Sequence, residues 1–183
     1  MREIEIKMRV ADLNKIEEKL KKAGCIFSEP INQHDTTYSK KGSTSEYTSA
    51  KEGDIILRIR KQDNKTEFNL KKQCSSESDN IECETDISDP ESMHRILNEL
   101  DWVSQIEVKK IRRKGKLGEY EICLDQVEKL GSFMEIEKMV DDNSDPEIIR
   151  EELFKILEEL GLSRKDEESR GYDTQIFQLE NKI

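Results

Sequence analysis

The chain has 183 residues, 33% of them hydrophobic and 39% charged, with a net charge of −10. One domain of this length buries a core without disulfide or metal staples, and the acidic balance argues against binding DNA or RNA through a basic footprint. The cysteines, Cys25, Cys74, Cys83 and Cys123, include no C-x-x-C pair, which argues against a zinc site.

The first strand is expected over 2–10, where Glu3, Glu5, Lys7 and Arg9 alternate with Ile4, Ile6, Met8 and Val10. Asp12 is placed to cap a helix over 12–23, whose Leu13, Ile16 and Leu20 recur at helical spacing and which Gly24 ends. Cys25 and Cys123 lie in apolar runs and read as buried small hydrophobes. A β-prone run covers 33–39, and the Ser-, Thr- and Gly-rich residues 41–53 read as a loop. Strands over 54–62 and 66–72 flank the hairpin signal Asp63-Asn64-Lys65, and after a loop a further strand covers 80–86. Asp89-Pro90 opens a helix over 90–100. Strands follow over 105–114 and 117–125, joined by a turn at Lys114–Gly118, and then over 132–139. Asp145-Pro146 opens a helix over 146–160, and residues 163–183 form a tail with room for one short helix. Runs of hairpin-linked strands between helices predict a single α+β domain built on an antiparallel sheet. Eight strands are enough to close a barrel. No apolar signal region opens the chain and no run approaches ~18 apolar residues, so the expectation is a reduced, cytoplasmic protein without a membrane partner.

Function is carried by the polar faces. Acids and bases recur at alternate positions: Glu3, Glu5 and Lys7; Arg58 and Arg60; Lys71; Glu82 and Glu84; Lys110 and Arg112; Glu121 and Asp125; Glu135 and Glu137. Alternation alone fits an open sheet with one wet face. It also fits a closed sheet with its charged face inward, and two features favour that second reading. Arginine pairs suit bidentate phosphate contact, and E-x-E pairs suit hard divalent cations such as Mg²⁺ or Mn²⁺. The two together are the apparatus of phosphoryl chemistry. The doublets Lys109-Lys110, Arg112-Arg113 and Lys71-Lys72 blur the register by one residue, and Glu82 and Glu84 share a face.

Glu3-Ile4-Glu5-Ile6-Lys7 resembles the E-x-E-x-K signature of the CYTH superfamily, the triphosphate tunnel metalloenzymes. Leu57-Arg58-Ile59-Arg60, Leu70-Lys71-Lys72, Ile81-Glu82-Cys83-Glu84, Val108-Lys109-Lys110-Ile111-Arg112, Ile122-Cys123-Leu124-Asp125 and Gly131-Ser132-Phe133-Met134-Glu135-Ile136-Glu137 resemble further family landmarks in family order. The chain departs from the family's D-x-Y at Asp35-Thr36-Thr37 and from its K-G-P turn at Lys71-Lys72-Gln73. The resemblance implies a closed eight-stranded antiparallel barrel with helices packed outside and a tunnel that binds a triphosphate. Lys7, Arg58, Arg60, Lys71, Lys110 and Arg112 would hold phosphate, with Lys7, Lys71 and Lys110 as catalytic cations. Glu3, Glu5, Glu82, Glu84, Asp125, Glu135 and Glu137 would hold Mg²⁺ or Mn²⁺. The layout and the tail Ser169-Arg170-Gly171-Tyr172 look most like the class IV adenylyl cyclases, which convert ATP to cyclic AMP and pyrophosphate. The alternatives are an inorganic tripolyphosphatase, a thiamine or nucleoside triphosphatase, and a noncatalytic polyphosphate-binding module. A homodimer is compatible with the resemblance.

Overall fold

The computed structural model describes residues 2–49, 51–76 and 78–182. The elements run β1 (Arg2–Arg9), α1 (Leu13–Lys22), β2 (Ile26–Phe27), β3 (Ile31–Lys40), α2 (Ser45–Thr48), β4 (Ile55–Gln62), β5 (Lys65–Ser76), β6 (Asp79–Asp86), α3 (Pro90–Glu99), β7 (Trp102–Leu117), β8 (Tyr120–Val127), β9 (Gly131–Val140), α4 (Pro146–Glu159) and α5 (Tyr172–Asn181). The sheet order is β2-β7-β3-β4-β5-β6-β1-β9-β8, and a further β7–β8 pairing closes it. β3 to β9 and β1 thus make a closed eight-stranded antiparallel barrel, with the two-residue β2 added at the edge of β7. The seam between β1 and β6 is short: Glu3 pairs with Asn80 and Ile4 with Asp79, extended by the Glu5 N–H donating to the Ser78 carbonyl at 3.0 Å.

The helices start where their caps dictate. The Asp12, Asp89 and Asp145 carboxylates accept from the first-turn amides of α1, α3 and α4, and proline follows the cap in the last two. Outside the wall, Ile4, Ile6 and Met8 of β1, Ile122 and Leu124 of β8, and Met134 and Ile136 of β9 pack against Ile16 and Leu20 of α1 and Leu153, Phe154 and Leu157 of α4. A smaller cluster seats Leu97 of α3 on Tyr38, Leu57 and Ile59, with Trp102 packed against it. A third apolar cluster fills one end of the bore. Ile106, Val108, Val127 and Phe133 share the bore-facing parity of their strands, and they meet Tyr47 of α2 and Tyr172, Ile176 and Phe177 of α5. α2 and α5 therefore lie across this mouth and stopper it.

Several boundaries differ from the sequence expectation. β7 runs on to Leu117, so the hairpin turn is Gly118-Glu119 and not Lys114–Gly118, with Gly118 supplying a φ of +62°. β5 extends through the polar run to Ser76, because backbone pairing with β6 sets its end and not side-chain hydrophobicity. β2 and α2 fall in segments read as irregular, and the tail carries a 3-10 turn (Arg164–Asp166) before α5.

Candidate active site: a charged bore

The period-two alternation sends one set of side chains outward to the helices and the other into a cavity of about 530 Å³. All thirteen expected site residues line the cavity except Asp125, which lies at its wall, wholly buried and bonded to Lys110, Arg112 and Tyr172. The register is settled for the doublets. Lys110 and Arg112 face inward and are buried, Lys71 faces inward, and Lys109 and Lys72 are exposed. Arg113 points away, to Glu17 of α1 and the Phe27 ring. His34 and His94 lie outside the bore, beside Glu107 and Tyr38 respectively.

The acids meet across strands. Pairing of β8, β9 and β1 sets Glu121 opposite Glu137 and Glu137 opposite Glu5. Like charges directly opposite destabilise a sheet; Lys114 meets Glu121 at 2.7 Å and Lys71 meets Glu5 at 3.8 Å, while Glu137 between them has no ion pair within 4 Å among the described residues. Carboxylate oxygens of Glu5, Glu135 and Glu137 lie within 4.8 Å of one another. Burial, reinforced by Glu135, Glu5 and Glu121 against the opposing pull of Arg112, pushes Glu137 up to about 8. Burial together with Glu137 and Glu82 pushes Glu3 up to about 9. Hard oxygen donors crowded until two of them hold protons at neutral pH fit a divalent cation of the Mg²⁺ or Mn²⁺ kind. A second set, Glu121, Cys123 and Glu137, shares Glu137. Cys123 is buried as expected, but it faces the bore, with its thiol 3.6 Å from Glu137 Oε1. Glu82 accepts from Lys71 at 3.0 Å and Glu84 from Asn69 at 3.0 Å, and the same Lys71 ammonium lies 3.8 Å from Glu5, so Glu82 and Glu5 share a cation.

The cations differ in how they are held. Arg60 donates Nε and Nη2 to Asp35 at 2.8 and 2.7 Å, and Arg112 donates Nε to Asp125 at 2.8 Å while also contacting Glu135. Both forks are locked by buried carboxylates. Asp35 stays well below the ordinary carboxylate range because Arg60 and Arg58 outweigh the effect of its burial. Burial also works against the charge on Lys71, but Glu5, Glu82 and Glu3 outweigh it and hold its pKa above the usual value. Lys110, buried next to Arg112, has its pKa lowered in spite of Asp125. Lys7 is 4% exposed, and among the described residues its ammonium has no ion-pair partner. Its Nζ lies 4.8 Å from the Tyr172 ring centroid, and its charge joins those of Arg112 and Lys110 in outweighing burial and lowering the pKa of Glu135, its cross-strand neighbour.

Alternation alone did not single out Asp35, Asn69, Cys123 or Tyr172. Asp35 lies in a polar run with no apolar face to fix the register, whereas alternation with Phe68 and Leu70 puts Asn69 on the Lys71 face without marking an amide as a site residue. Tyr172 reaches the bore from a helix outside it. Thr37, where the family's D-x-Y would place tyrosine, is hydrogen-bonded at 3.1 Å to the hydroxyl of Tyr47, which brings a phenol in from α2.

The fold and site define a class: closed antiparallel barrels whose bore is lined by interleaved acids and bases. Residues 1–172 match the CYTH domain family, and the chain belongs to it. It is 32% identical over 174 residues to a Methanocaldococcus jannaschii protein named "Putative adenylate cyclase", covering 94% of this chain and 97% of that one. The structure of PH1819 from Pyrococcus horikoshii superposes with a TM-score of 0.81 at 28% identity, over 99% of each chain. A Hippeastrum protein titled a "putative adenylyl cyclase" with "a dominant triphosphatase activity" shares the fold (TM-score 0.63, 19% identity), over 98% of this chain and 95% of that one.

Proposed function

We propose that this protein is a divalent-metal-dependent enzyme acting on the triphosphate group of a nucleotide, with adenylyl cyclase chemistry as the favoured activity. One observation carries the reading. In a single enclosed bore, three glutamates face one another across strands (Glu121, Glu137, Glu5), the outer two meeting Lys114 and Lys71 and the middle one, Glu137, having no ion pair within 4 Å among the described residues, and on the next cross-strand pair the buried Lys7 lies opposite Glu135 with no carboxylate within that distance. A metal–triphosphate complex supplies a cation for the crowded glutamates around Glu137 and an anion for Lys7. The cyclase preference rests on the name of the 32%-identical archaeal relative.

On this reading Glu5, Glu135 and Glu137 hold the metal, with Glu3 close by, and Lys7, Arg58, Arg60, Lys71, Lys110 and Arg112 hold phosphate oxygens. The metal, when bound, would neutralise charge on the phosphate oxygens and act as a Lewis acid. The forks of Arg60 and Arg112 are already oriented by Asp35 and Asp125, so little side-chain entropy is lost when a phosphate meets their remaining N–H groups. Asp125 serves as an orienting partner for Arg112 and Lys110, because its oxygens are engaged by cations and by Tyr172. The stoppered end excludes water and strengthens each contact. In cyclisation the ribose 3′-oxygen attacks the α-phosphorus and pyrophosphate leaves, so the cations must lie over the β- and γ-phosphates. In hydrolysis water attacks the terminal phosphorus.

Hydrolysis is the second reading, because the same fold carries triphosphatase activity in the Hippeastrum protein. Product analysis with Mg²⁺ or Mn²⁺ separates the two. Cyclic AMP and pyrophosphate from ATP support the cyclase, whereas orthophosphate from ATP, tripolyphosphate or thiamine triphosphate supports the hydrolase. Tight binding of these ligands without turnover under either metal would reduce the protein to a polyphosphate-binding module, and no binding would end the proposal.

A further inference from the structure

Tyr172 is the first residue of α5, a helix outside the barrel wall, yet its side chain is 8% exposed and lines the bore. Its ring centroid lies 4.8 Å from Lys7 Nζ and 4.8 Å from Lys110 Nζ. Those lysines belong to β1 and β7, which are not neighbours: β9 and β8 stand between them. The hydroxyl donates to Asp125 Oδ2 at 3.0 Å, and that carboxylate also receives Lys110 and Arg112. An edge contact with Phe133, centroids 5.0 Å apart, fixes the ring's orientation. One side chain therefore touches two cations directly and a third through Asp125.

The aromatic face matters most for Lys7. A buried ammonium needs compensation; Glu135, opposite on β9, supplies part of it through space, and the ring's negative quadrupole supplies the direct contact. A carboxylate in that position would hold the lysine as firmly but would neutralise it and compete with an arriving anion. An aromatic ring holds the ammonium and leaves its N–H groups and its charge for a ligand.

We propose that Tyr172 is a positioning residue of the anion clamp: its ring sets the separation of the Lys7 and Lys110 ammonium groups across the bore, and its hydroxyl holds Asp125 and through it Arg112. The inference rests on the phosphate-binding reading above and adds that the ring's electrostatics, and not its bulk alone, tune affinity. It also explains why α5, which contributes no charged group to the clamp, is tied to β1 at Lys7: the Glu168 N–H donates to the Lys7 carbonyl at 2.9 Å four residues before Tyr172.

The test is a series at position 172 in the full chain: Tyr172→Phe, then 4-fluoro-, 3,5-difluoro- and pentafluorophenylalanine. Fluorine drains the ring's negative face at nearly constant shape. The dissociation constant of inorganic tripolyphosphate, measured by calorimetry, should climb stepwise to about tenfold above the Phe variant, while the thermal midpoint stays level across the series. A flat or falling series at constant midpoint makes Tyr172 a space filler and overturns the proposal. Should Tyr172→Phe fail to fold, 3,5-difluorotyrosine compared with tyrosine reads the same slope with the hydroxyl kept. Failure of the unmodified protein to bind tripolyphosphate at all would instead strike the phosphate-binding reading, so the two failures are distinct.

Discussion

Lys7 and Arg60 look interchangeable in the sequence, each a cation on the polar face of a strand, and the structure separates them. Arg60 and Asp35 are 7% and 3% exposed and joined by two hydrogen bonds. Removing one partner of such a pair leaves a buried charge and costs about 3–5 kcal/mol. Arg60→Ala should therefore lower the urea midpoint substantially as well as weaken triphosphate binding. Lys7→Met should weaken binding with no loss of midpoint, because a buried ammonium without an ion-pair partner is replaced by hydrocarbon. Equal losses of stability in the two variants would contradict this distinction. Glu5 sits opposite Glu137, so Glu5→Ala relieves repulsion in the metal-free protein. It should fold normally and need at least tenfold more Mn²⁺ for half-maximal turnover; an unchanged metal requirement would remove Glu5 from the metal set. Sequence exposed the residue types at all these positions but not their pairing, which depends on which strands become neighbours.

At the scale of elements, the three capped helices and the strands with one apolar face were legible because each follows a local rule: an aspartate cap with or without proline, or alternation of period two or 3.6. β2 escaped because two residues carry no period, and it exists only through pairing with Lys116 and Gly115 of β7. Its seat on β7 leaves no room at Gly115, where a Cβ would come within 2.6 Å of Cys25 Sγ and 2.8 Å of the Phe27 ring. Gly115→Ala should therefore cost about 1–3 kcal/mol by overpacking, read as a lowered denaturation midpoint. Restoring space with Gly115→Ala in a Cys25→Ala background should recover part of the loss. α5 was foreseen only as a short helix in the tail. Its role in stoppering the bore comes from Tyr172, Ile176 and Phe177 meeting residues 40 to 70 positions and more away in the chain.

For the whole molecule, the stopper is joined to the barrel by ionisable contacts. Glu168 receives Arg9 and Arg170, and Arg9 also reaches Gln175 of α5. Burial raises the Glu168 pKa, but the two guanidiniums outweigh it and hold the carboxyl at about 2. A folded-state pKa depressed below the unfolded value of about 4.3 stabilises the protein fully above that value and loses its contribution as pH falls toward 2. Denaturation midpoints should drop between pH 5 and pH 3, the buried Asp35 adding a loss of the same sign. Glu168→Gln should lower the midpoint at pH 7 and reduce the size of that drop; an undiminished drop would place the acid sensitivity elsewhere.

By itself the sequence determined the class, the order of the eight barrel strands and the three capped helices, and which residue types line one face of most of those strands, because backbone geometry turns spacing directly into facing. Alternation by itself favoured an open wet sheet, and only the residue types and the family resemblance pointed to a closed tunnel. The tertiary structure supplies the closure itself, pairing β7 with β8 and so turning the charged faces on one another. That closure, together with α5 reaching in from outside, sets glutamate against glutamate and lays an aromatic ring against Lys7, since the proximity of distant strands depends on registers that no single strand encodes.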